Sequence, residues 1–145
     1  MPATPPAVPQ AIGNDMSKPS SKPQTESQIQ KDFVRWFRAR YESIEPLFFA
    51  VGNGGARNVW TAKIMKDEGV RAGVSDLILL IPRHGYAGLL IETKTPDGKQ
   101  SESQKEFEKL ATKYKYLYCV VRDLPTFQQL MMWYIEDKGE KPICV

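Results

Sequence analysis

Histidine and cysteine are scarce in this chain of 145 residues, which has one histidine, His84, and two cysteines, Cys119 and Cys144. His84 lies among turn-forming residues, which disfavours a nuclease or hydrolase that depends on histidine. The cysteines form neither a CxxC motif nor an obvious pair, so a reduced compartment is expected. These scarcities point away from histidine-based catalysis and towards an intracellular setting.

Long apolar runs and a one-sided charge are also missing. The longest apolar stretches, around residues 47–51 and 77–81, have the length of strands and not of membrane spans. The N-terminus lacks the basic-then-apolar layout of a signal peptide. The formal net charge of +3 permits a nucleic-acid partner but does not argue for one. We therefore expect a cytoplasmic protein without membrane association.

Proline, alanine, serine and glutamine dominate residues 1–23. Such a segment cannot bury enough apolar surface to offset the chain entropy that folding costs. The sequence therefore predicts a disordered leader over residues 1–23 and one folded domain over residues 24–145, a length that suits a single core.

The folded part is predicted to alternate helices and strands. Thr25 and Gln28 form a capping box, and an apolar stripe at helical spacing follows. Later helices are predicted over residues 59–68, 101–114 and 124–135, and strands over residues 47–51, 75–81, 88–94 and 116–121. In the helix after Ser101, the stripe predicted to be buried contains Phe107, Leu110, Ala111 and Tyr114. This order predicts an α/β fold with a mixed sheet between helices.

The two middle strands are joined by six turn-forming residues, which predicts a hairpin. If the turn centres on His84, paired residue numbers sum to 168 and Asp76 lies opposite Glu92. Their side chains then project from one face with Cβ atoms roughly 5 Å apart. Lys94 follows one step along the same face.

Two facing carboxylates destabilise a sheet unless positive charge lies between them. Mg²⁺ is suited to this position because it prefers oxygen ligands and binds through one or two carboxylates. The peptide carbonyl of Thr93 can add an oxygen. Lys94 can then orient a water and stabilise charge on a phosphate, as phosphodiester hydrolysis requires.

A structural interpretation carries similar weight. Glu-x-Lys occurs often by chance, and Lys94 can simply form an ion pair within the strand. A slip of one residue in the hairpin register would also send Asp76 to the other face of the sheet. From the residues alone, the incidental ion pair and the metal site remain about equally supported.

The chain resembles the VRR-NUC domain, a branch of the PD-(D/E)xK nucleases. The resemblance rests on GVSDL at residues 73–77, ETK at residues 92–94 and GKQSESQ at residues 98–104. Upstream, ESQIQ, NGGAR and DEGVRAGV also resemble the family pattern, so similarity extends through nearly all of residues 25–137. Ser75 stands where the superfamily name expects proline, but the residue expected to bind metal is the aspartate after it. The resemblance implies a restriction-endonuclease-like core with the order αβββαβα.

The resemblance also implies roles for individual residues. Asp76 and Glu92 would bind metal, Lys94 would act on the water, and Gln104 would support the site. Gln104 has a competing explanation, since it is also the third helical residue of a capping box that begins at Ser101. Glu26 resembles a further metal-binding carboxylate of the family, although an acid in a first helical turn also complements the helix dipole.

Contacts to DNA are expected from basic residues and from a glycine loop whose N–H groups can approach phosphates. For Lys63 and Lys66, a solvated basic face explains the charges better than a DNA contact does. The residues predicted to contact DNA are Asn53, Gly54, Gly55, Arg57, Arg71, Arg83 and Lys99.

The resemblance implies a DNA endonuclease that depends on Mg²⁺ or Mn²⁺ and cuts branched DNA such as Holliday junctions. A role in DNA repair in a bacterium or a phage-infected host fits this activity. Cutting two symmetry-related strands favours a C₂ homodimer. Two alternatives remain open, namely a nuclease of the same fold that acts on flaps or nicks and a non-catalytic DNA-binding module.

Overall fold

A computed structural model of the chain describes residues 22–52 and 59–144, with only the backbone described for residues 59–62. The predicted leader therefore lies almost wholly outside the described residues. The elements are α1 (Glu26–Arg40), a 3₁₀ turn (Glu42–Leu47), β1 (Phe48–Ala50), α2 (Val59–Asp67), β2 (Leu77–Leu79), β3 (Leu89–Thr93), α3 (Glu102–Lys113), β4 (Leu117–Val121) and α4 (Leu124–Glu136). Their order is the predicted one, although the strands are shorter.

The strands form one mixed sheet in the order β1-β2-β3-β4. β2 pairs antiparallel with both β1 and β3, whereas β3 and β4 are parallel. Helix α3 forms the crossover between these two parallel strands, as a parallel connection requires. The arrangement confirms the predicted α/β class.

The β2–β3 hairpin has the predicted register. Leu77 pairs with Ile91, Ile78 with Leu90 and Leu79 with Leu89, so every pair sums to 168. His84 and Gly85 occupy the turn with φ angles of 53° and 79°. The hairpin therefore places Asp76, just before β2, at the position opposite Glu92.

Helices α1 and α4 cover one face of the sheet. The predicted capping box begins α1, with the Thr25 hydroxyl accepting from the Gln28 N–H at 3.2 Å and the Thr25 N–H donating to the Gln28 side chain at 2.9 Å. Phe33 of α1 stacks on Phe127 of α4 with ring centroids 4.5 Å apart. This packing joins the middle of α1 to α4 on that face of the sheet.

Helix α3 covers the other face. Phe107 and Ala111 pack against the strand residues Leu90, Tyr118 and Val120. The prediction that Leu110 and Tyr114 share this buried stripe is wrong, because they are 58% and 63% exposed. Leu110 lies about 80° around the helix from the direction midway between Phe107 and Ala111, and Tyr114 follows the last helical turn. Helix α3 therefore uses a narrower face than its apolar pattern suggests.

The two cysteines are joined. Cys119 of β4 and Cys144 form a disulfide whose Cα atoms are 4.7 Å apart, within the usual range for this bond. This pair was not obvious from the sequence, because it depends on the segment after α4, which returns to the core and packs Cys144 against it. No helix in the described part of the chain has the length and apolar character needed to cross a bilayer.

Candidate active site

The site lies where β2 begins and β3 ends. Asp76 precedes β2, and its Oδ2 accepts the N–H of Thr93 at 2.8 Å. Glu92 is in β3 and is only 1% exposed. The pairing of Leu77 with Ile91 sets Asp76 opposite Glu92, and Asp76 acts on the pKa of Glu92 at close range, so the facing pair predicted from the hairpin register is present.

The surroundings of Asp76 and Glu92 disfavour a negative charge on both carboxyl groups at once. Burial, and then the charge and close approach of Asp76, raise the pKa of Glu92 to about 8. The Lys94 charge and the Tyr118 hydrogen bond act in the opposite direction but do not restore the ordinary value. At neutral pH the pair must therefore retain a proton or bind a cation.

Lys94 lies between two carboxylates. Its side chain is only 10% exposed, and its Nζ is 3.7 Å from Oε1 of Glu92 and 3.6 Å from Oε1 of Glu26. The Lys94 N–H donates to the carbonyl of Val121 at 3.1 Å, which continues the β3–β4 pairing past the end of β3. The ion pair of the structural interpretation is therefore present, and it holds the ammonium beside the carboxylate pair.

Gln104 has both of the roles considered for it. Its Oε1 accepts the N–H of Ser101 at 2.8 Å, which completes the capping box of α3. Its Nε2 donates to Oε1 of Glu92 at 2.7 Å. The two explanations do not compete, because the oxygen and the nitrogen of one amide make separate hydrogen bonds.

These two roles can be separated by substitution. We expect Ser101→Ala to lower the free energy of unfolding by about 1 kcal/mol through loss of the cap, with little effect on the site. Gln104→Ala should reduce stability to a similar extent and also slow, by about tenfold, the DNA cleavage that the resemblance implies, because Glu92 loses a hydrogen bond that orients it. Denaturant unfolding and cleavage rates of both variants test this. Equal cleavage rates for the two variants would show that Gln104 acts only as part of the helix cap and does not support the site.

Tyr118 is a member of the site that the sequence did not reveal. Its hydroxyl donates to Oε2 of Glu92 at 3.3 Å. Gln100 donates to the Tyr118 hydroxyl at 3.5 Å and to Glu108 at 2.8 Å. Burial and then the charge of Glu92 raise the pKa of Tyr118, so the hydroxyl keeps its proton at neutral pH. Because side chains alternate along β4, Tyr118 lies on the same face of the sheet as Val120, which pairs with Glu92. The sequence alone does not show that β3 and β4 are neighbours, so this position could not be predicted.

Gly73 sets the path of the chain before Asp76. Its φ of 85° is in the left-handed region, and a Cβ atom there would lie 2.6 Å from the carbonyl oxygen of Ser103 in α3. Any other residue would push the segment away from the N-terminal end of α3. Ser75, at the position where the superfamily name expects proline, is fully buried, and no described residue hydrogen-bonds its Oγ.

Among the described residues that were predicted to contact DNA, Arg83 lies away from the carboxylate pair. Arg71 and Lys99 are exposed, whereas Arg83 forms an ion pair with Asp137 after the end of α4. Arg83 is also in the hairpin turn, at the opposite end of β2 and β3 from Asp76. Four further predicted contacts lie outside the described residues, namely Asn53, Gly54, Gly55 and Arg57.

The donor set fits a hard divalent cation. Within residues 22–52 and 59–144, no group of three or more His, Cys, Asp or Glu side chains is arranged to hold a metal. The pair of Asp76 and Glu92 nevertheless matches the one or two carboxylates through which Mg²⁺ is usually bound. Burial and the neighbouring Asp76 charge raise the pKa of Glu92, and a bound cation would act in the opposite direction.

Comparisons with known proteins find a matching family and a similar solved structure. A sequence profile of the VRR-NUC domain matches residues 20–123. A solved structure described as a VRR_NUC domain protein is similar, with a TM-score of 0.65 and 26% sequence identity, and the match covers 79% of this chain and 91% of that chain. No curated protein matches the chain. The profile match spans Glu26, the carboxylate pair, Lys94 and Gln104.

Proposed function

The chain belongs to the VRR-NUC domain family, a nuclease-type family, and on this basis we propose that it is a metal-dependent endonuclease that hydrolyses phosphodiester bonds in branched DNA. The observation that carries the proposal is the buried contact between Asp76 and Glu92 beside the Lys94 ammonium. A purely structural position for Glu92 would not need a second carboxylate against it.

Asp76 and Glu92 are the side chains that would hold Mg²⁺ or Mn²⁺. The peptide carbonyl of Thr93 is a further proposed ligand, and Glu26 a more distant carboxylate that contacts the site through Lys94. When bound, the cation supplies Lewis-acid stabilisation of the phosphate and a water of lowered pKa. Gln104 and Tyr118 each donate to one oxygen of Glu92 and so fix the orientation of its carboxylate.

Lys94 is proposed to act directly on the reacting groups. Its ammonium lies between Glu26 and Glu92, and its side chain is only 10% exposed. From this position it can orient the attacking water and stabilise the negative charge that develops on the scissile phosphate. A preorganised cation is effective because it does not have to reorganise during the reaction.

Four-way junctions are the proposed substrate, and a C₂ homodimer the proposed assembly. A junction presents two symmetry-related strands, and a twofold dimer presents one site to each of them. This activity belongs to DNA repair in the cytoplasm of a bacterium or a phage-infected host. A preference for flaps or nicks, or binding without cleavage, remains the alternative, although every recognisable catalytic position holds a competent residue.

A substrate panel tests the proposal. Labelled four-way junction, flap, nicked and linear duplex DNA are incubated with the protein in Mg²⁺, Mn²⁺ or EDTA. We expect cleavage of the junction with either metal and none in EDTA. Binding without cleavage under every condition would support the non-catalytic alternative, and faster cleavage of flaps or nicks would replace the junction as substrate. Light scattering tests the dimer, and a strict monomer on junction DNA would contradict it.

A further inference from the structure

Helix α1 forms one wall of an open groove that leads away from the site. The groove has a volume of about 620 Å³. Glu26, which contacts Lys94, and Asp76 line it near the carboxylate pair. Lys31, Arg35 and Arg38 line it further along α1. One end of the groove is therefore acidic and belongs to the site, whereas the rest carries three basic side chains.

The spacing of the basic residues follows from helical geometry. Lys31, Arg35 and Arg38 are four and then three positions apart, so they project from one face of α1. From Glu26 to Arg38 the helix rises by about 18 Å. One strand of a DNA duplex advances about 3.4 Å per phosphate along its axis, so this length corresponds to about five phosphates.

The basic side chains remain accessible to a ligand. Those of Arg35 and Arg38 are 79% and 61% exposed, and Lys31 is exposed as well. Arg35 lies 3.6 Å from Asp32, and Arg38 donates through Nε to Glu45 at 2.8 Å. Exposed pairs of this kind contribute little to stability, so a phosphate can compete for them. A guanidinium that donates through Nε has four more N–H groups on its terminal nitrogens.

We propose that this groove, which we call the α1 groove, binds the sugar-phosphate backbone of the DNA arm next to the cleaved bond. Its partner is a polyanion with regularly spaced charges, because the cations are regularly spaced and accessible. The proposal rests on the proposed function, since the groove is useful only if the scissile phosphate binds at the site of Asp76 and Glu92. It adds Lys31, Arg35 and Arg38, which lie apart from the residues that the sequence motifs indicate.

A solvated basic face is the competing explanation, and α3 provides a matched comparison. Lys105, Lys109 and Lys113 are exposed and lie on one face of α3 at intervals of four residues. They do not line the α1 groove. Removing either set of three cations changes the net charge equally. The two removals should therefore have different effects on DNA binding only if one set belongs to a specific binding surface.

The test compares two triple variants with the wild type. One carries Lys31→Ala, Arg35→Ala and Arg38→Ala, and the other carries Lys105→Ala, Lys109→Ala and Lys113→Ala. Binding of a labelled four-way junction is measured by fluorescence anisotropy in EDTA between 50 and 200 mM salt, and cleavage is measured in Mg²⁺. We expect the α1 variant to bind at least tenfold more weakly at the lowest salt. Its slope of log K against log salt should fall by about 2.7, or 0.9 per lost phosphate contact.

In cleavage, the α1 variant should raise KM at least tenfold and change kcat less than threefold, whereas the α3 variant should stay within threefold of the wild type in both. Arg35→Glu gives a second variant at a highly exposed position, and thermal melting verifies its fold. If both triple variants bind DNA equally weakly, or if the α1 variant binds with wild-type affinity, the proposed role of the α1 groove is wrong. Either result would leave the nuclease proposal intact. A wild type that neither binds nor cuts DNA would instead refute the proposed function itself.

Discussion

Replacing Lys94 with alanine is expected to slow DNA cleavage by about a thousandfold in saturating Mg²⁺. Lys94 is the cation in direct contact with Glu92, and its Nζ is 3.7 Å from that carboxylate. Removing a preorganised group that stabilises developing charge typically lowers a rate by two to three orders of magnitude. Single-turnover cleavage of a labelled junction at saturating enzyme measures the effect without a contribution from product release.

Two further variants separate catalysis from charge. Lys109→Ala removes an exposed lysine on α3 and should cleave at nearly the wild-type rate. Lys94→Arg keeps the positive charge but replaces a compact ammonium with a planar guanidinium. We expect it to recover less than a tenth of the wild-type rate, because the group must fit between Glu26 and Glu92. If Lys94→Ala cleaves as fast as the wild type under every metal condition, the catalytic assignment is wrong.

The parts of the site that the sequence predicted depend on local geometry. A hairpin register follows from the positions of two strands and one turn, so the facing of Asp76 and Glu92 could be worked out from residue numbers. The capping boxes at Thr25 and Ser101 are equally local, because the residues that make each box are within three positions of each other.

The parts that the sequence did not predict depend on contacts between distant segments. Tyr118 contacts Glu92 only because β4 lies beside β3, and the spacing of residues in the sequence does not predict which strands are neighbours. Cys144 reaches Cys119 because the segment after α4 returns to the core. Leu110 is exposed because the position of the sheet decides which face of α3 is buried, and the apolar pattern of the helix does not. In each case tertiary packing supplied the missing information.

Glu92 should make the protein less stable as the pH rises when no metal is present. Burial, with Asp76 beside it, raises the pKa of Glu92 from an ordinary 4.5 to about 8 in the folded chain. Between these values the folded state binds more protons than the unfolded state, so stability falls with increasing pH. A complete difference in protonation corresponds to about 1.4 kcal/mol per pH unit. Because water near the partly exposed Asp76 screens the pair, we expect about half of this, or about 2 kcal/mol between pH 5 and pH 8.

Denaturant unfolding in EDTA at several pH values measures this loss. Glu92→Gln should abolish it, because the amide does not titrate. Glu106→Gln, which removes an exposed carboxylate on α3, should retain it. Adding Mg²⁺ to the wild type should raise Tm more at pH 8 than at pH 5, because the cation binds the deprotonated pair. The same addition should have little effect on Glu92→Gln.

The sign of this pH dependence distinguishes the two interpretations of Glu92 and Lys94. If their contact were only a stabilising ion pair, the pKa of Glu92 would lie below its ordinary value, and stability would rise as the pH increased through the acidic range. The contact with Asp76 and the burial of Glu92 require the opposite sign. A wild type whose stability does not fall between pH 5 and pH 8 in EDTA would therefore favour the simple ion pair, for which Glu92 is already ionised throughout this range. A wild type that loses stability over this range, and recovers it with Mg²⁺, would show that the deprotonated carboxylate pair binds a cation.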